Sequence, residues 1–155
     1  MGQATLVIGL GNPLRGDDGV GIRVIQALAE YDLPHNVEVL DGGTQGLGLV
    51  NLLEGQQRVI FVDAADVGQS PGEFVRFTLA EARLLGNETQ LSVHAAGLRE
   101  ALLLAQALKM LPPEVLIFGV QPESLAWKTG LSPPVEAGLA KLVSAIMVEL
   151  STEPE

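Results

Sequence analysis

The sequence predicts an α/β fold, a three-layer sandwich in which a twisted, mainly parallel sheet of about five strands is flanked by helices. Short runs of Val and Ile, each closed by Gly or Asp, alternate along the chain with segments whose apolar residues recur at helical spacing. Compact runs of this kind are typical of strands buried on both faces, as in parallel sheets. The alternation favours parallel strands joined by crossover helices.

Four apolar runs are predicted to be buried strands, and a fifth, weaker run alternates between apolar and polar residues. The four runs are Thr5–Ile8, Val37–Leu40, Val59–Val62 and Val115–Val120, and the alternating run is Phe74–Leu79. Because parallel strands point the same way, we expect the loops that follow them to meet at one edge of the sheet.

Three segments between the strands have one apolar face and are predicted to be helices. Their apolar residues run from Val20 to Leu28, from Leu98 to Leu108 and from Leu139 to Ile146. A shorter stretch from Leu47 to Leu53 is predicted to be a fourth helix. The pair Pro133-Pro134 precedes the last helix, and proline is tolerated in a first turn.

Length and composition bound the functions that the chain can have. With 155 residues, 47% of them hydrophobic and 18% charged, the chain can form one conventional core. We expect a single domain over residues 1–150 and a polar tail over 151–155. The formal net charge of −10 disfavours nucleic acid as a partner. The absence of cysteine excludes disulfides, thiolate metal sites and thiol catalysis.

The amino terminus has the composition of a protein that stays in the cell. No basic run precedes the first apolar stretch, and no window approaches the roughly 18 apolar residues that a membrane span needs. We therefore expect a soluble, cytoplasmic protein with no membrane partner.

Acidic residues follow three of the predicted strands. Asp17 and Asp18 come after the first strand, Asp41 ends the second and Asp63 ends the third. One member of the Asp17-Asp18 pair is expected to cap the next helix, and a lone Asp after a strand often only forms a turn. The carboxylates nevertheless share one edge of the predicted sheet, and a cation or a proton would relieve their repulsion.

The two histidines differ in their surroundings. His35 lies in a polar connection and is expected to be exposed, whereas His94 directly precedes the predicted Leu98 helix. His94 can be a structural hydrogen-bonding group or a metal ligand. Together with the carboxylates it would form an open oxygen and nitrogen site, which suits zinc, nickel or similar ions.

Two familiar motifs are only partly matched. The loop after the first strand lacks the third glycine of a dinucleotide fingerprint, because Leu14 occupies that position. The segment Gly68–Gly72 matches G-x-S-x-G, but a predicted strand follows it instead of the helix that a nucleophile elbow requires. We therefore predict a hairpin-type turn there.

A set of short motifs resembles the hydrogenase maturation endopeptidases over nearly the whole chain. The motifs are Gly9-x-Gly11-Asn12, Asp17-Asp18-Gly19-x-Gly21, Asp41-Gly42-Gly43-Thr44-x-Gly46, Asp63-Ala64, Ser92-x-His94-x-x-Gly97-Leu98, Gly119-x-x-Pro122-Glu123-Ser124 and Gly130-Leu131-Ser132-Pro133-x-Val135. Each motif is weak alone, but their common order is specific. The resemblance implies a phosphorylase/hydrolase-like fold, a monomer and a peptide-bond hydrolase.

The resemblance also implies a substrate and a site. The substrate would be the nickel-loaded precursor of a nickel–iron hydrogenase large subunit, from which the enzyme removes a C-terminal extension. Nickel, supplied by the substrate, would be held by Asp18, Asp63 and His94, although many family members have Glu at the first position. Asp41 would be needed for cleavage. Two roles for nickel stay open, a catalytic one and a docking one.

Two other functions compete with this interpretation. Peptidyl-tRNA hydrolases also begin with a segment like Gly9–Pro13, but this chain lacks a histidine shortly after Asn12. A noncatalytic module that binds a metal or a maturation complex is the second alternative.

Two smaller expectations concern the substrate. Gly42-Gly43 would leave room for a substrate segment, and Trp127 would either contact the substrate or be partly buried.

Overall fold

The computed structural model describes residues 4–44, 46–84, 98–152 and 154. In chain order its elements are β1 (Thr5–Leu10), α1 (Val20–Leu28), β2 (Val37–Gly43), α2 (Val50–Leu53), β3 (Arg58–Ala64), β4 (Phe74–Thr78), α3 (Leu79–Leu84), α4 (Leu98–Ala107), β5 (Glu114–Val120) and α5 (Pro133–Leu150). Two 3-10 turns, Gly16–Gly19 and Gly46–Leu49, lead directly into α1 and α2.

The five described strands form one sheet in the order β2-β1-β3-β5-β4. Four of them are parallel, and only β4 is antiparallel, paired with β5. The predicted, mainly parallel sheet is therefore confirmed. The predicted hairpin-type turn at Gly68–Gly72 is wrong, because β5 already occupies the side of β3 that a hairpin would need. The chain instead crosses β5 and adds β4 as an edge strand.

Helices cover both faces of the sheet, as predicted for a three-layer sandwich. On β1, Val7 faces the layer of α1 and α5, whereas Ile8 faces the layer of α2 and α4. On β3, Ile60 and Phe61 divide in the same way. This alternation buries both faces of the central strands, which explains why their sequences are apolar without a break.

One described helix, α3, has a start signal that periodicity did not reveal. The alternating pattern predicted a strand up to Leu79, but the strand ends at Thr78 and α3 begins at the next residue. The Thr78 Oγ1 accepts from the Glu81 N–H at 3.1 Å, and a Glu81 carboxylate oxygen accepts from the Thr78 N–H at 2.9 Å. This reciprocal pair is a capping box, whose T-x-x-E pattern is visible in the sequence.

A buried arginine anchors the end of α5 at the amino edge of the sheet. The Arg58 side chain donates to the Thr5 Oγ1 at 3.2 Å and to the carbonyl oxygens of Glu149 and Thr152 at 3.2 and 3.1 Å. These bonds satisfy carbonyl groups that the last turn of a helix leaves free. No described helix, α5 included, is long and apolar enough to span a membrane.

Glycines let the first turn of α1 lie directly on the ends of two strands. A Cβ atom at Gly21 would lie 2.4 Å from the Val62 carbonyl oxygen and 2.5 Å from that of Leu10. A Cβ atom at Gly9 would lie 2.3 Å from the Gly21 carbonyl oxygen. The backbones therefore touch without intervening side chains. This contact places the Gly16–Gly19 turn at the carboxyl edge of β1 and β3.

The substitution Gly21→Ala tests this contact. Because the obstructing atoms are backbone, we expect the free energy of unfolding to fall by about 3 kcal/mol, the upper part of the range for an overpacked site. Urea denaturation measures it. Gly55→Ala is the control: Gly55 has φ +82 and open surroundings, so that only backbone strain of about 1 kcal/mol is expected. Equal losses in the two variants would contradict the proposed packing constraint.

Candidate active site

Two buried aspartates meet at the carboxyl edge of the sheet. Asp18 lies in the turn before α1, and Asp63 lies near the end of β3; the two residues are 4% and 2% exposed. Asp18 Oδ2 accepts a hydrogen bond from the Asn12 N–H at 2.8 Å. Asp18 Oδ1 and both carboxylate oxygens of Asp63 are buried without a hydrogen-bond partner in the described part of the chain. Three orphaned acceptors thus lie in one region, which is costly unless a ligand satisfies them.

Burial and a neighbouring charge perturb the Asp63 carboxyl group. Burial, and then the negative charge of Asp18, raises the pKa of Asp63 well above its ordinary value of 3.8. The Ala64 amide opposes this rise but makes no hydrogen bond of good geometry with either oxygen. The site therefore favours a proton on Asp63 or a cation between the two residues.

The donor set fits a metal ion in part. Carboxylate oxygens with no thiolate suit hard and borderline divalent ions. His94, the third ligand that the sequence predicts, lies outside the described residues. Within the described ranges, no group of three His, Asp or Glu side chains is close enough to form a complete metal site. The described residues therefore provide two of the three predicted ligands, Asp18 and Asp63, close enough to interact.

Asp41 lies at the same edge but apart from this pair. It is exposed, and its Oδ1 accepts from the Gly43 N–H at 2.9 Å. In the register of the sheet, Asp41 on β2 and Val62 on β3 both align with Gly9 on the intervening β1. Two strand spacings, about 10 Å, therefore separate the backbone of Asp41 from β3. The structure places Asp41 beside the buried pair and does not bring it into that pair.

The two glycines after Asp41 have local structural reasons. A Cβ atom at Gly42 would lie 2.6 Å from the Ile8 Cγ2 atom, so that Gly42 is needed for packing. Gly43 has φ +54, a backbone conformation that glycine adopts at no steric cost. These local reasons are sufficient to explain both glycines. That the glycines also leave room for a substrate stays a prediction.

Asp17 connects the turn before α1 to a distant loop. Its carboxylate accepts from the backbone N–H groups of Glu123, Ser124 and Ser132 at 2.8, 3.1 and 2.7 Å, and from the Ser132 hydroxyl at 2.8 Å. We expected Asp17 or Asp18 to cap α1, and this is wrong: the N-cap is Gly19, and no side chain caps the helix. The 3-10 turn intervenes and directs Asp17 to the loop.

The hydrogen bonds at Asp17 also set its ionisation. Burial alone raises its pKa, but the bonds from Ser132, Glu123 and Ser124 outweigh this effect and hold the pKa below the ordinary 3.8. Asp17 is therefore a charged structural clamp. Sequence patterns gave no sign of this role, because the donors lie 106 to 115 residues further along the chain.

Comparison with known proteins decides what kind of enzyme carries this site. The HycI family model, described as hydrogenase maturation protease, matches residues 22–149. This chain belongs to the hydrogenase maturation protease family. The predicted resemblance is therefore confirmed, and so is the prediction of a peptide-bond hydrolase.

Individual relatives agree with the family. The protease is 39% identical over 137 residues to the hydrogenase expression/formation protein HupD of Bradyrhizobium diazoefficiens, covering 87% of this chain and 71% of that protein. Among solved structures it is similar to the hydrogenase maturating endopeptidase HybD from E. coli, with 32% identity, a TM-score of 0.87 and coverage of 96% and 93%. It is also similar to the NiFe hydrogenase maturation protease HybD from Thermococcus kodakarensis, with 28% identity, a TM-score of 0.78 and coverage of 96% and 99%.

Asp17→Asn tests the clamp. An amide nitrogen would face hydrogen-bond donors, so we expect the free energy of unfolding at pH 7 to fall by roughly 1–3 kcal/mol. Because the pKa of Asp17 is lowered in the folded protease, its contribution is present above pH 3.8 and is lost as the pH falls through the folded value. Urea denaturation at several pH values measures the difference between variant and parent, which should shrink at low pH. Asp32→Asn, at an exposed position, is the control, and a pH-independent difference would contradict the assignment.

Asp63→Asn tests the cost of the buried pair in the metal-free protease. The pKa of Asp63 is raised, so the folded protease loses stability as the pH rises from 3.8 through the folded value. We therefore expect the variant to be more stable than its parent by about 1 kcal/mol at high pH, which is about 2–4 °C in Tm. Thermal unfolding across the pH range measures this gain. A variant that is less stable at every pH would show that the carboxylate is not strained.

Proposed function

We propose that this protease removes the C-terminal extension of a nickel–iron hydrogenase large-subunit precursor after nickel insertion, and that nickel bound in the precursor is the recognition determinant. The observation that carries the proposal is the pair of buried aspartates, three of whose oxygens have no hydrogen-bond partner among the described residues. A cation delivered by the substrate would satisfy these oxygens and remove the repulsion between Asp18 and Asp63.

The proposed ligands are Asp18, Asp63 and His94. Asp18 has one carboxylate oxygen, Oδ1, available for nickel, because Oδ2 already accepts from the Asn12 N–H. This bond fixes the orientation of a side chain that is one methylene shorter than the glutamate common in the family. Three oxygen and nitrogen donors leave other positions on the ion for ligands from the precursor, so that nickel can bridge the two proteins.

Recognition through nickel would restrict cleavage to loaded precursor. Without the ion, the buried carboxylates have nothing to bind on the precursor, and a proton on Asp63 relieves their repulsion. Binding of nickel displaces that proton, and it also requires a neutral His94. We therefore expect recognition to weaken as the pH falls.

Asp41 has a proposed role in cleavage and none in holding nickel. Its carboxylate is exposed at the carboxyl edge, about two strand spacings from β3, and one oxygen is fixed by the Gly43 N–H. A carboxylate in this position is accessible to a substrate segment laid along the edge and can take part in proton transfer.

The proposed function also specifies the partners of the protease, its location and its oligomeric state. The precursor is the proposed macromolecular partner, and the net charge of −10 opposes nucleic acid. We propose that the protease acts as a cytoplasmic monomer that receives nickel only with its substrate.

The experiment mixes the purified protease with nickel-loaded and with nickel-free precursor from the same source, and measures the product masses. We expect a C-terminal peptide to be released only from the loaded form. Asp18→Asn, Asp63→Asn and His94→Ala should each slow its release by roughly 100-fold, because each removes a proposed nickel ligand. Asp66→Asn is the matched control, since Asp66 is exposed and follows β3 by two residues.

Three other outcomes would change the conclusion. Equal cleavage of loaded and nickel-free precursor would contradict the role of nickel in recognition. Unchanged cleavage by His94→Ala would remove His94 from the ligand set. Binding of every precursor without cleavage would favour a noncatalytic maturation module.

A further inference from the structure

Two loops at the carboxyl edge of the sheet form an exposed patch next to the candidate active site. We define the loop patch as Leu14, Arg15, Trp127 and Lys128. Trp127, the single tryptophan of the chain, is 73% exposed, and Leu14 is 56% exposed. The Arg15 guanidinium carbon lies 5.1 Å from the centroid of the Trp127 ring. Exposed apolar side chains that are grouped in one place mark interaction sites more often than side chains exposed singly.

The loop patch is connected to the turn that carries Asp18. The Arg15 carbonyl oxygen accepts from the Asp18 N–H at 3.1 Å, and the Lys128 carbonyl oxygen accepts from the Gly16 N–H at 2.8 Å. A Cβ atom at Gly16 would lie 2.9 Å from the Ser124 carbonyl oxygen, so the two loops are in close contact. The Asp17 clamp fastens the same pair of loops. A partner that binds the loop patch is therefore positioned relative to Asp18.

The cations of the loop patch have no carboxylate partner in the described part of the chain. Arg23 and Arg76 form ion pairs with Glu136 and Glu149, whereas Arg15 forms none with any described residue. The Nε atom of Arg15 is buried without a hydrogen-bond partner among those residues. Lys128 is exposed and forms no described ion pair either. These two neighbouring cations give the loop patch a positive charge on a protein whose net charge is −10, and that charge complements an acidic group.

The stacking of Arg15 on Trp127 orients the Arg15 guanidinium for binding a carboxylate. A guanidinium that lies against an aromatic ring keeps a fixed plane, and a fixed plane favours bidentate binding of a carboxylate. Because the side chain is already ordered, binding costs less conformational entropy than it would for a free arginine. Large aromatic residues and arginines also dominate the binding energy of protein interfaces.

We propose that the loop patch is the docking surface for the precursor: Arg15 binds a carboxylate of a precursor segment, and an apolar side chain of that segment packs against Trp127. This inference rests on the proposed function, which supplies the precursor as partner. Arg15 and Trp127 are positioning residues here, because they hold the precursor and take no part in hydrolysis. The expected consequence is that they affect KM and leave kcat unchanged.

The first test measures cleavage of nickel-loaded precursor by variants of the loop patch. We expect Arg15→Ala and Trp127→Ala to raise KM at least about tenfold with kcat within twofold of the parent. The KM of Arg15→Ala should also depend less on salt, since a charge pair is lost. Lys109→Gln and Tyr31→Ala are matched controls, because they remove an exposed cation and an exposed aromatic residue that follow the ends of α4 and α1 and belong to neither loop. Their KM should stay within twofold.

The second test needs neither cleavage nor a substitution. Protease labelled with 5-fluorotryptophan gives one fluorine resonance, from Trp127, because the chain has no other tryptophan. We expect this resonance to shift on addition of precursor. A shift without cleavage would support the docking surface while the proposed function fails, so the two failures are distinguishable. In the first test, by contrast, Trp127→Phe keeps an apolar ring and should raise KM less than Trp127→Ala does.

The proposal is overturned by several results. Loss of kcat at unchanged KM in well-folded Arg15→Ala would assign that residue to catalysis. An unchanged KM in Arg15→Ala and Trp127→Ala would show that the precursor binds elsewhere. A fluorine resonance that does not shift on addition of precursor would show the same. A resonance that shifts with protease concentration alone would identify the occupant as a second copy of this chain.

Discussion

The direct contact between the first turn of α1 and the ends of β1 and β3 is the constraint on which the rest of the structure depends. Gly9 and Gly21 have no side chains to separate the backbones, so the helix begins almost on top of the strands. The turn before the helix is consequently held at the carboxyl edge, where Asp63 emerges. A larger residue in place of Gly9 or Gly21 would move Asp18 away from Asp63. The site would then lose its geometry although all of its side chains were still present.

The buried pair of Asp18 and Asp63 lowers the stability of the folded protein. Hydrophobic layers on both sides of the sheet bury two carboxylates that have few hydrogen bonds and repel each other. A protein can maintain such strain only where the surrounding packing determines the positions of the residues. The same strain makes the pair receptive to a cation, because ligand binding removes a cost that the folded chain already carries. In the proposed function, the apolar core around the pair therefore contributes to nickel recognition.

Asp17 and Asp18 are neighbours in the chain and have opposite surroundings. Asp17 accepts four hydrogen bonds and is held ionised, whereas three of the four oxygens in the Asp18 and Asp63 pair accept none from the residues that the structure describes. The first aspartate joins two loops, and the second is left available for a ligand. The connection between the two loops also brings Trp127 beside Arg15. The buried Asp17 carboxylate therefore organises both the candidate active site and the surface next to it.

The sequence by itself determined the sheet, its flanking helices and the family, because these depend on apolar periodicity and on short motifs that survive in linear order. It also identified Asp18, Asp41 and Asp63 as acidic residues at one edge, since parallel strands end together. Only the tertiary structure decided that Asp17 is a clamp, that Asp41 stands apart from the buried pair, that β4 pairs with β5, and that Trp127 is exposed on Arg15. Each of these depends on contacts between residues far apart in the chain, and hydrogen bonding and burial at that range leave no periodic signal in the sequence.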